Sequence, residues 1–264
     1  MPVFTACKLL SKIRETDLVN VSKSTNCEPT NPLNETSTSG QKTAWVAGAT
    51  GLIGQALLKS LCEGAHYDHV VAFVRPSAEQ PFKHSKLSNY ACNWDHLLNE
   101  AHQHNGTIEA PSENVDELYC ALGSTTKKTP DKELYKKIDV EYPEAFASLG
   151  KKHGARFYGL VSAHGVTSKL PSFYLSMKKD VEARIVAQSF ASTAIARPSL
   201  LLGDRGEFRF AEKTSEWLCK LLPGNYKAIN ASDVAAALVN AALADRNGVA
   251  LLESAAMQGA SRRA

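Results

Sequence analysis

The 264-residue sequence predicts an α/β protein that consists of a single doubly wound domain with a mostly parallel sheet. Three observations predict this fold class. Short apolar strands alternate with helices from residue 43 onward, and a glycine-rich turn joins the first strand to the first helix. The composition, with 44% apolar and 22% charged residues, is that of a globular protein with a core of normal size.

The individual elements follow from the spacing of apolar residues along the chain. Strands are predicted at residues 44–47, 69–74, 90–93 (a weak pattern), 117–122, 156–162, 193–202 and 249–253. Helices are predicted at residues 52–63, 134–153, 173–188 and, after a Ser232 cap, up to about residue 244. Strands and helices that alternate in this way predict a parallel sheet with helices on both faces.

The N-terminal segment, residues 1–41, differs in composition from the rest of the chain. Residues 21–41 are crowded with Ser, Thr, Asn and Pro, which predicts a disordered extension before a folded domain over residues 42–264. Apolar residues before position 20 can form a short amphipathic helix, but Glu15 and Asp17 argue against a transit peptide. Six scattered cysteines indicate reduced thiols, so we expect a cytoplasmic protein, with a targeting segment as the alternative.

Charge and composition argue against several classes of partner. The net charge of +3 is small and spread along the chain, which gives no nucleic-acid stripe and no membrane anchor. No apolar run approaches the roughly 18 residues that a membrane span needs. No cysteine pair has the spacing of a zinc site, so we expect no bound metal. The expected ligand is a small molecule.

The turn at residues 48–54 predicts a dinucleotide-binding Rossmann domain. Gly48 permits a tight turn, Gly51 lets the backbone approach a pyrophosphate, and Gly54 allows close packing of helix and strand. Free amides at the helix start would bind the anion. The expected cofactor contacts are Gly48, Thr50, Gly51, Leu52, Ile53 and Gly54. A P-loop ending in Gly-Lys-Ser/Thr is absent, and a turn without a ligand is the alternative.

The end of the second strand distinguishes between the two nicotinamide cofactors. A carboxylate about 20 residues after the glycines would bind the ribose hydroxyl of NAD, but this position reads Val74, Arg75, Pro76. Arg75 can instead pair with the 2′-phosphate of NADP. The sequence therefore favours NADP over NAD, and a surface arginine unrelated to the cofactor is the alternative.

Three residues form a candidate catalytic group. Tyr174 and Lys178 stand four residues apart on a predicted helix, so both lie on one face. A cationic amine near a phenol favours the phenolate and suits the tyrosine for acid–base work. Ser162 ends the fifth strand, where open α/β sheets place their ligand crevice, and can donate to a substrate carbonyl. The order of turn, serine and Tyr–Lys pair is more specific than any one motif.

These motifs resemble the short-chain dehydrogenase/reductase superfamily. Four stretches resemble its atypical members related to the Tat-interacting oxidoreductase: CALGST at 120–125, LVSA at 160–163, YLSMK at 174–178 and ARPSLL at 196–201. The resemblance covers residues 43–258. It implies a seven-stranded sheet and bound NADPH, with Tyr174 as the acid/base, Ser162 orienting the substrate oxygen and Lys178 also binding the nicotinamide ribose. It further implies that the cofactor is lined by Leu122, Gly123, Ser124, Pro198 and Ser199.

One departure from the superfamily pattern affects the proton relay. Main-line members carry an asparagine in the helix after the fourth strand, whereas residues 137–140 read KIDV. The leading hypothesis is an NADP-dependent oxidoreductase for a small carbonyl or alcohol. The alternative is a non-catalytic NADPH sensor that acts through a protein partner. A hydrolase is disfavoured because residues 159–165 lack the G-x-S-x-G elbow around Ser162.

Overall fold

The computed structural model describes residues 42–103, 111, 114–124, 128–168, 172–202 and 227–263. The predicted N-terminal extension lies outside these residues. Residues 203–226 lie outside them too.

Seven strands form one sheet in which every neighbouring pair runs parallel. They are β1 Lys42–Ala47, β2 Tyr67–Val74, β3 Leu87–Ala91, β4 Glu117–Cys120, β5 Phe157–Val161, β6 Ser192–Arg197 and β9 Gly248–Glu253. Two short strands, β7 Leu201–Leu202 and β8 Ile229–Asn230, form a separate sheet. The predicted doubly wound α/β fold is confirmed.

The spatial order of the main sheet is β3-β2-β1-β4-β5-β6-β9. Successive strands are added on one side of β1, as β2 and then β3, before the chain returns and adds β4 and the later strands on the other side. The order of the strands therefore reverses between β1 and β4. Open α/β sheets bind ligands at such a switch point, outside the carboxyl ends of the strands. The glycine turn leaves β1 at this place.

Helices cover both faces of the sheet. They are α1 Leu52–Glu63, α2 Trp94–His102, α3 Lys132–Lys136, α4 Tyr142–Lys152, α5 Phe173–Ala187, α6 Ala231–Leu243 and α7 Ser254–Met257, with a 3₁₀ turn at Ala260–Arg262. Side chains of β1 alternate between two buried clusters, because successive strand residues point to opposite faces. Ala44 and Val46 pack with α1 and α6, whereas Trp45 and Ala47 pack with α2, α4 and α5. None of the described helices is long and apolar enough to span a bilayer.

The sixth strand is shorter than predicted. It ends at Arg197, and the chain continues through Pro198 before pairing again as β7 with β8. Proline has no N–H to donate to a ladder, which explains the interruption. The carbonyl of Pro198 instead accepts from the backbone N–H of His164, at 2.8 Å, beyond the end of β5.

Two helices also differ from the prediction. The segment expected as one helix at 134–153 consists of α3, a π turn at Lys137–Glu141 and α4. Ser232 does not cap α6: the helix begins at Ala231, two residues earlier than a Ser232 cap predicts, and Asn230 occupies the N-cap position. The side chain of Asn230 makes no capping hydrogen bond, so side-chain capping preference does not identify the start of this helix.

Candidate functional site

The glycine turn has the close backbone contacts that its sequence predicts. Gly48 has a φ of +76°, and a Cβ there would lie 2.5 Å from the backbone of Ala121. A Cβ at Gly54 would lie 2.1 Å from the carbonyl oxygen of Gly48. The amide of Gly51 donates to that same oxygen at 2.9 Å. The turn therefore packs against the start of α1 and the end of β4 in a way that only glycine permits.

The start of α1 has the features of an anion site. Gly51 occupies the N-cap position and offers no side-chain cap, and the first turn contains no acidic residue. The first amides of a helix have no intrahelical partner and carry the positive end of the helix dipole. Those of Leu52, Ile53 and Gly54 occupy this position, so the turn can hold a diphosphate, as the sequence predicts.

Two glutamines that the sequence did not single out hold the turn in place. The side-chain amides of Gln55 and Gln80 both donate to the carbonyl of Ala49, at 2.7 and 3.1 Å. Gln80 is buried and belongs to the loop that follows β2. Arg75 begins this same loop, so the glutamines connect the glycine turn to the segment that is predicted to distinguish NADP from NAD.

Arg75 follows β2 directly and is exposed. Its carbonyl accepts from Ala78 at 2.9 Å, which forms a turn. Within the described part of the chain, its guanidinium has neither a hydrogen bond nor an ion pair with another residue. A cation with this freedom at the end of β2 is able to pair with a phosphate.

Tyr174 and Lys178 lie on α5, whose first turn is capped by Ser172 accepting from Leu175 at 3.3 Å. The Lys178 ammonium lies 5.9 Å from the centre of the Tyr174 ring. The tyrosine is 38% exposed, whereas the lysine is buried. The predicted pair thus shares one face, with the phenol accessible to a substrate.

Asp139, in the π turn, is the principal partner of Lys178. One carboxylate oxygen lies 2.9 Å from the ammonium, and the other accepts from the backbone N–H of Ser124 at 2.7 Å. Burial acts to lower the pKa of Lys178, but the carboxylate of Asp139, helped by Tyr174, raises it above its usual value. The lysine is therefore held as a cation beside the loop that follows β4.

Ser162, at the end of β5, uses its hydroxyl proton within the protein. It donates to Glu182 at 2.5 Å, and both residues are buried. Glu182 also accepts two hydrogen bonds from Arg197, at 3.0 and 2.6 Å, and Arg197 donates further to Glu253. A hydroxyl has one proton, so in this arrangement Ser162 faces a ligand only as an acceptor.

The remaining predicted lining residues lie at the same carboxyl edge but have different contacts. Leu122 packs against the core, and the Ser124 hydroxyl lies 2.6 Å from that of Thr129. Ser199 donates to the carbonyl of Lys227 and accepts from Ser254. No group of His, Cys, Asp and Glu side chains among the described residues could hold a metal ion.

Comparison with known proteins places the chain in a family. No protein-family profile matches it. A protein from Eremothecium gossypii named FMP52, mitochondrial, is 32% identical over 223 residues, which cover 80% of this chain and 94% of the relative. The chain belongs to the FMP52 family. A Candida albicans FMP52, also named mitochondrial, is 27% identical over 77% of this chain and 89% of its own length.

The names of these FMP52 relatives contradict the predicted cytoplasmic location, which is wrong. The prediction counted Glu15 and Asp17 against a transit peptide, but both follow an acid-free stretch, residues 1–14, with three basic residues. Scattered cysteines do not distinguish among reducing compartments either.

Solved structures confirm the fold of the FMP52 chain. The Bordetella bronchiseptica enzyme WbmH, in complex with NAD⁺, matches with a TM-score of 0.58 and 15% identity, over 81% of this chain and 76% of its own. A short-chain dehydrogenase/reductase from Serratia marcescens also gives 0.58 and 15% identity, over 82% and 98%. At 15% identity these structures confirm the fold, and the resemblance to that superfamily stays a prediction.

Proposed function

We propose that the chain is an NADP-dependent oxidoreductase that transfers a hydride between nicotinamide and a small carbonyl or alcohol. One juxtaposition supports this proposal most strongly. The loop after β4 touches the glycine turn through Ala121 and faces the Lys178 ammonium through Gly123, where a Cβ would lie 3.6 Å from Nζ. A dinucleotide whose diphosphate lies on the glycine turn would therefore extend toward Lys178 and Tyr174.

The protein groups have distinct roles in the proposed reaction. When bound, NADPH supplies a hydride to the carbonyl carbon of the substrate. Tyr174 gives its phenolic proton to the carbonyl oxygen, so that the product is an alcohol, and the reverse reaction returns that proton. Lys178 binds the nicotinamide ribose, and the solvent exposure of Tyr174 gives the substrate access to the phenol.

The preference for NADP is supported by Arg75. Its guanidinium is exposed at the end of β2, and residues 74–76 carry no carboxylate that would bind a ribose diol. WbmH was solved with NAD⁺, which makes NAD the alternative cofactor for this fold. The 2′-phosphate would pair with Arg75 through charge-assisted hydrogen bonds, which NAD cannot form.

A second candidate function, a non-catalytic NADPH sensor acting through a protein partner, is favoured by one observation. The hydroxyl proton of Ser162 is directed to Glu182, so in this arrangement it is not available to polarise a substrate carbonyl. The sequence resemblance to the atypical members related to the Tat-interacting oxidoreductase agrees with either function. The two candidates share the cofactor site and differ in turnover.

We also infer a mitochondrial location. The FMP52 relatives are named mitochondrial, and residues 1–14 of this chain combine Lys8, Lys12 and Arg14 with no acidic residue. A basic, acid-poor amphipathic segment is typical of mitochondrial transit peptides.

Turnover of NADPH distinguishes the enzyme from the sensor. The full chain is incubated with NADPH and a panel of aldehydes and ketones, and absorbance at the reduced nicotinamide band is followed. If the chain is an enzyme, we expect turnover that Tyr174→Phe abolishes. Tyr142→Phe, which removes a hydroxyl that donates to Asp95, should leave turnover unchanged. NADPH binding without turnover, equal in wild type and Tyr174→Phe, would support the sensor.

A further inference from the structure

We propose that Asp139 is a positioning residue that holds the Lys178 ammonium at the nicotinamide ribose and thereby sets the affinity for the reduced cofactor. This inference rests on the proposed function, because a ribose contact requires that the chain binds a nicotinamide dinucleotide. Asp139 occupies the helix in which the sequence lacks the asparagine of the superfamily relay.

The carboxylate of Asp139 connects two parts of the site. It lies 2.9 Å from Nζ of Lys178 on α5, and it accepts from Ser124 in the loop after β4 at 2.7 Å. The side chains of Asp139 and Lys178 are 0% and 5% exposed. A pair so fully buried, fixed from a second side by a backbone N–H, leaves the ammonium little freedom to move.

The local backbone at Asp139 is irregular. The π turn at Lys137–Glu141 interrupts an otherwise α-helical segment between α3 and α4. An i→i+5 turn shifts the side chains that follow it relative to the regular repeat, and such turns are frequent at functional sites. Asp139 lies at the centre of this turn.

Gly123, in the loop after β4, lies next to the ion pair and places no side chain against it. A Cβ at this position would lie 3.5 Å from the carboxylate of Asp139 and 3.6 Å from the ammonium of Lys178. An ammonium carries three N–H donors, more than one carboxylate oxygen takes up. The lysine can therefore donate to a ribose hydroxyl that approaches past Gly123.

The charges around Lys178 make Asp139 the decisive neighbour. The titratable groups that face the ammonium are Asp139 from the π turn, Tyr174 from α5 and Cys120 from β4. Of these, the carboxylate supplies the negative charge at neutral pH. Without it, burial would favour the neutral amine, so removal of Asp139 changes both the place and the charge of Lys178.

The test compares two ligands on the full-length chain. NADPH contains the nicotinamide ribose, whereas adenosine 2′,5′-bisphosphate contains only the adenine end of NADP. In calorimetric titrations, Asp139→Asn should lower the affinity for NADPH by about tenfold. Its affinity for the bisphosphate should stay within about twofold of that of wild type. NADPH binding to this variant should weaken further as the pH rises, because burial without Asp139 lowers the pKa of Lys178, and wild type should show no such weakening. Asp180→Asn, which removes an ion pair with Arg184 on the same helix, is the matched control.

Other results would overturn the proposal. Equal NADPH affinity in wild type and Asp139→Asn, or equal weakening of both ligands, would show that Asp139 does not act through the ribose. Failure of wild type to bind NADPH at all would instead refute the proposed function on which the inference rests.

A second variant covers the case in which Asp139→Asn does not fold with an unpaired buried lysine. Asp139→Asn combined with Lys178→Met removes both charges. If Asp139 acts through the lysine, this double variant binds NADPH as weakly as Lys178→Met alone. If it binds about tenfold more weakly than Lys178→Met, Asp139 acts by another route and the proposal is wrong.

Discussion

At the scale of single residues, Gly54 is the position where the smallest change has the largest expected effect. A Cβ there would overlap the Gly48 carbonyl at 2.1 Å, so Gly54→Ala must displace the phosphate turn from α1. We expect a loss of about 1–3 kcal/mol in the free energy of unfolding, as for overpacked cores, and at least tenfold weaker NADPH binding. Chemical denaturation and calorimetry measure the two effects.

Gly123→Ala is the control for stability, since its Cβ would meet only ordinary contacts. Equal losses of stability in Gly54→Ala and Gly123→Ala would show that the overlap with the Gly48 carbonyl is not the cause.

Arg75 carries the predicted choice between NADPH and NADH. Arg75→Ala removes a guanidinium that would form charge-assisted hydrogen bonds to the 2′-phosphate, so NADPH should bind about tenfold or more weakly while NADH changes little. Arg156→Ala removes an exposed arginine before β5, at the opposite edge of the sheet, and should affect neither cofactor. Equal losses for NADPH and NADH in Arg75→Ala would exclude a role in cofactor choice.

The residues that contact one another within a few positions could be predicted from the sequence, and distant partners could not. Gly48, Gly51 and Gly54 owe their roles to one turn, and their close contacts are as expected. Asp139 lies 39 residues from Lys178 and Glu182 lies 20 from Ser162. Such pairs depend on how helices pack over the sheet, which local pattern does not determine.

At the scale of elements, local sequence signals were sufficient to predict some helices and too weak to predict others. The helix α1 was predicted with its bounds because Gly51 and Gly64 flank an apolar face. The helix α2 was missed because its nine residues make only about two and a half turns, so its inward face consists of just Trp94, Leu97, Leu98 and Ala101. The segment at Lys137–Glu141, a π turn in the structure, was predicted as plain helix because the apolar spacing continues through it.

The packing of α6 against the C-terminal turn makes a prediction about acid stability. Asp233 accepts from the N–H and hydroxyl of Ser261, at 3.1 and 2.6 Å. Burial acts to raise the pKa of Asp233, but these hydrogen bonds lower it below its usual value. A lowered pKa stabilises the fold above the unfolded-state pKa, and the contribution is lost as pH falls through the folded one.

Asp233→Asn should therefore destabilise the chain by about 1–2 kcal/mol at pH 7, with the difference shrinking below about pH 4. Urea denaturation at both pH values measures this. Asp68→Asn, an exposed residue on β2, should have no such effect. If Asp233→Asn lowers the free energy of unfolding equally at pH 3 and pH 7, the ionised carboxylate is not the cause of the loss.

At the scale of the whole molecule, the proposed targeting segment and the folded domain lie in separate parts of the chain. The sheet and its helices begin at Lys42, whereas the basic, acid-free stretch lies within residues 1–14. Fusion of residues 1–41 to a fluorescent protein should direct it to mitochondria in yeast cells. Replacement of Lys8, Lys12 and Arg14 by Gln should abolish import, and a diffuse signal from the unaltered fusion would contradict a transit role.

The binding of NADPH to the whole chain tests the account most directly, because the glycine turn, Arg75 and Lys178 are all assigned to one cofactor. Isothermal titration of the full-length protein should give saturable binding at one site per chain, with NADPH tighter than NADH. The absence of saturable heat with both nucleotides would contradict the assignment of this edge of the sheet as a dinucleotide site.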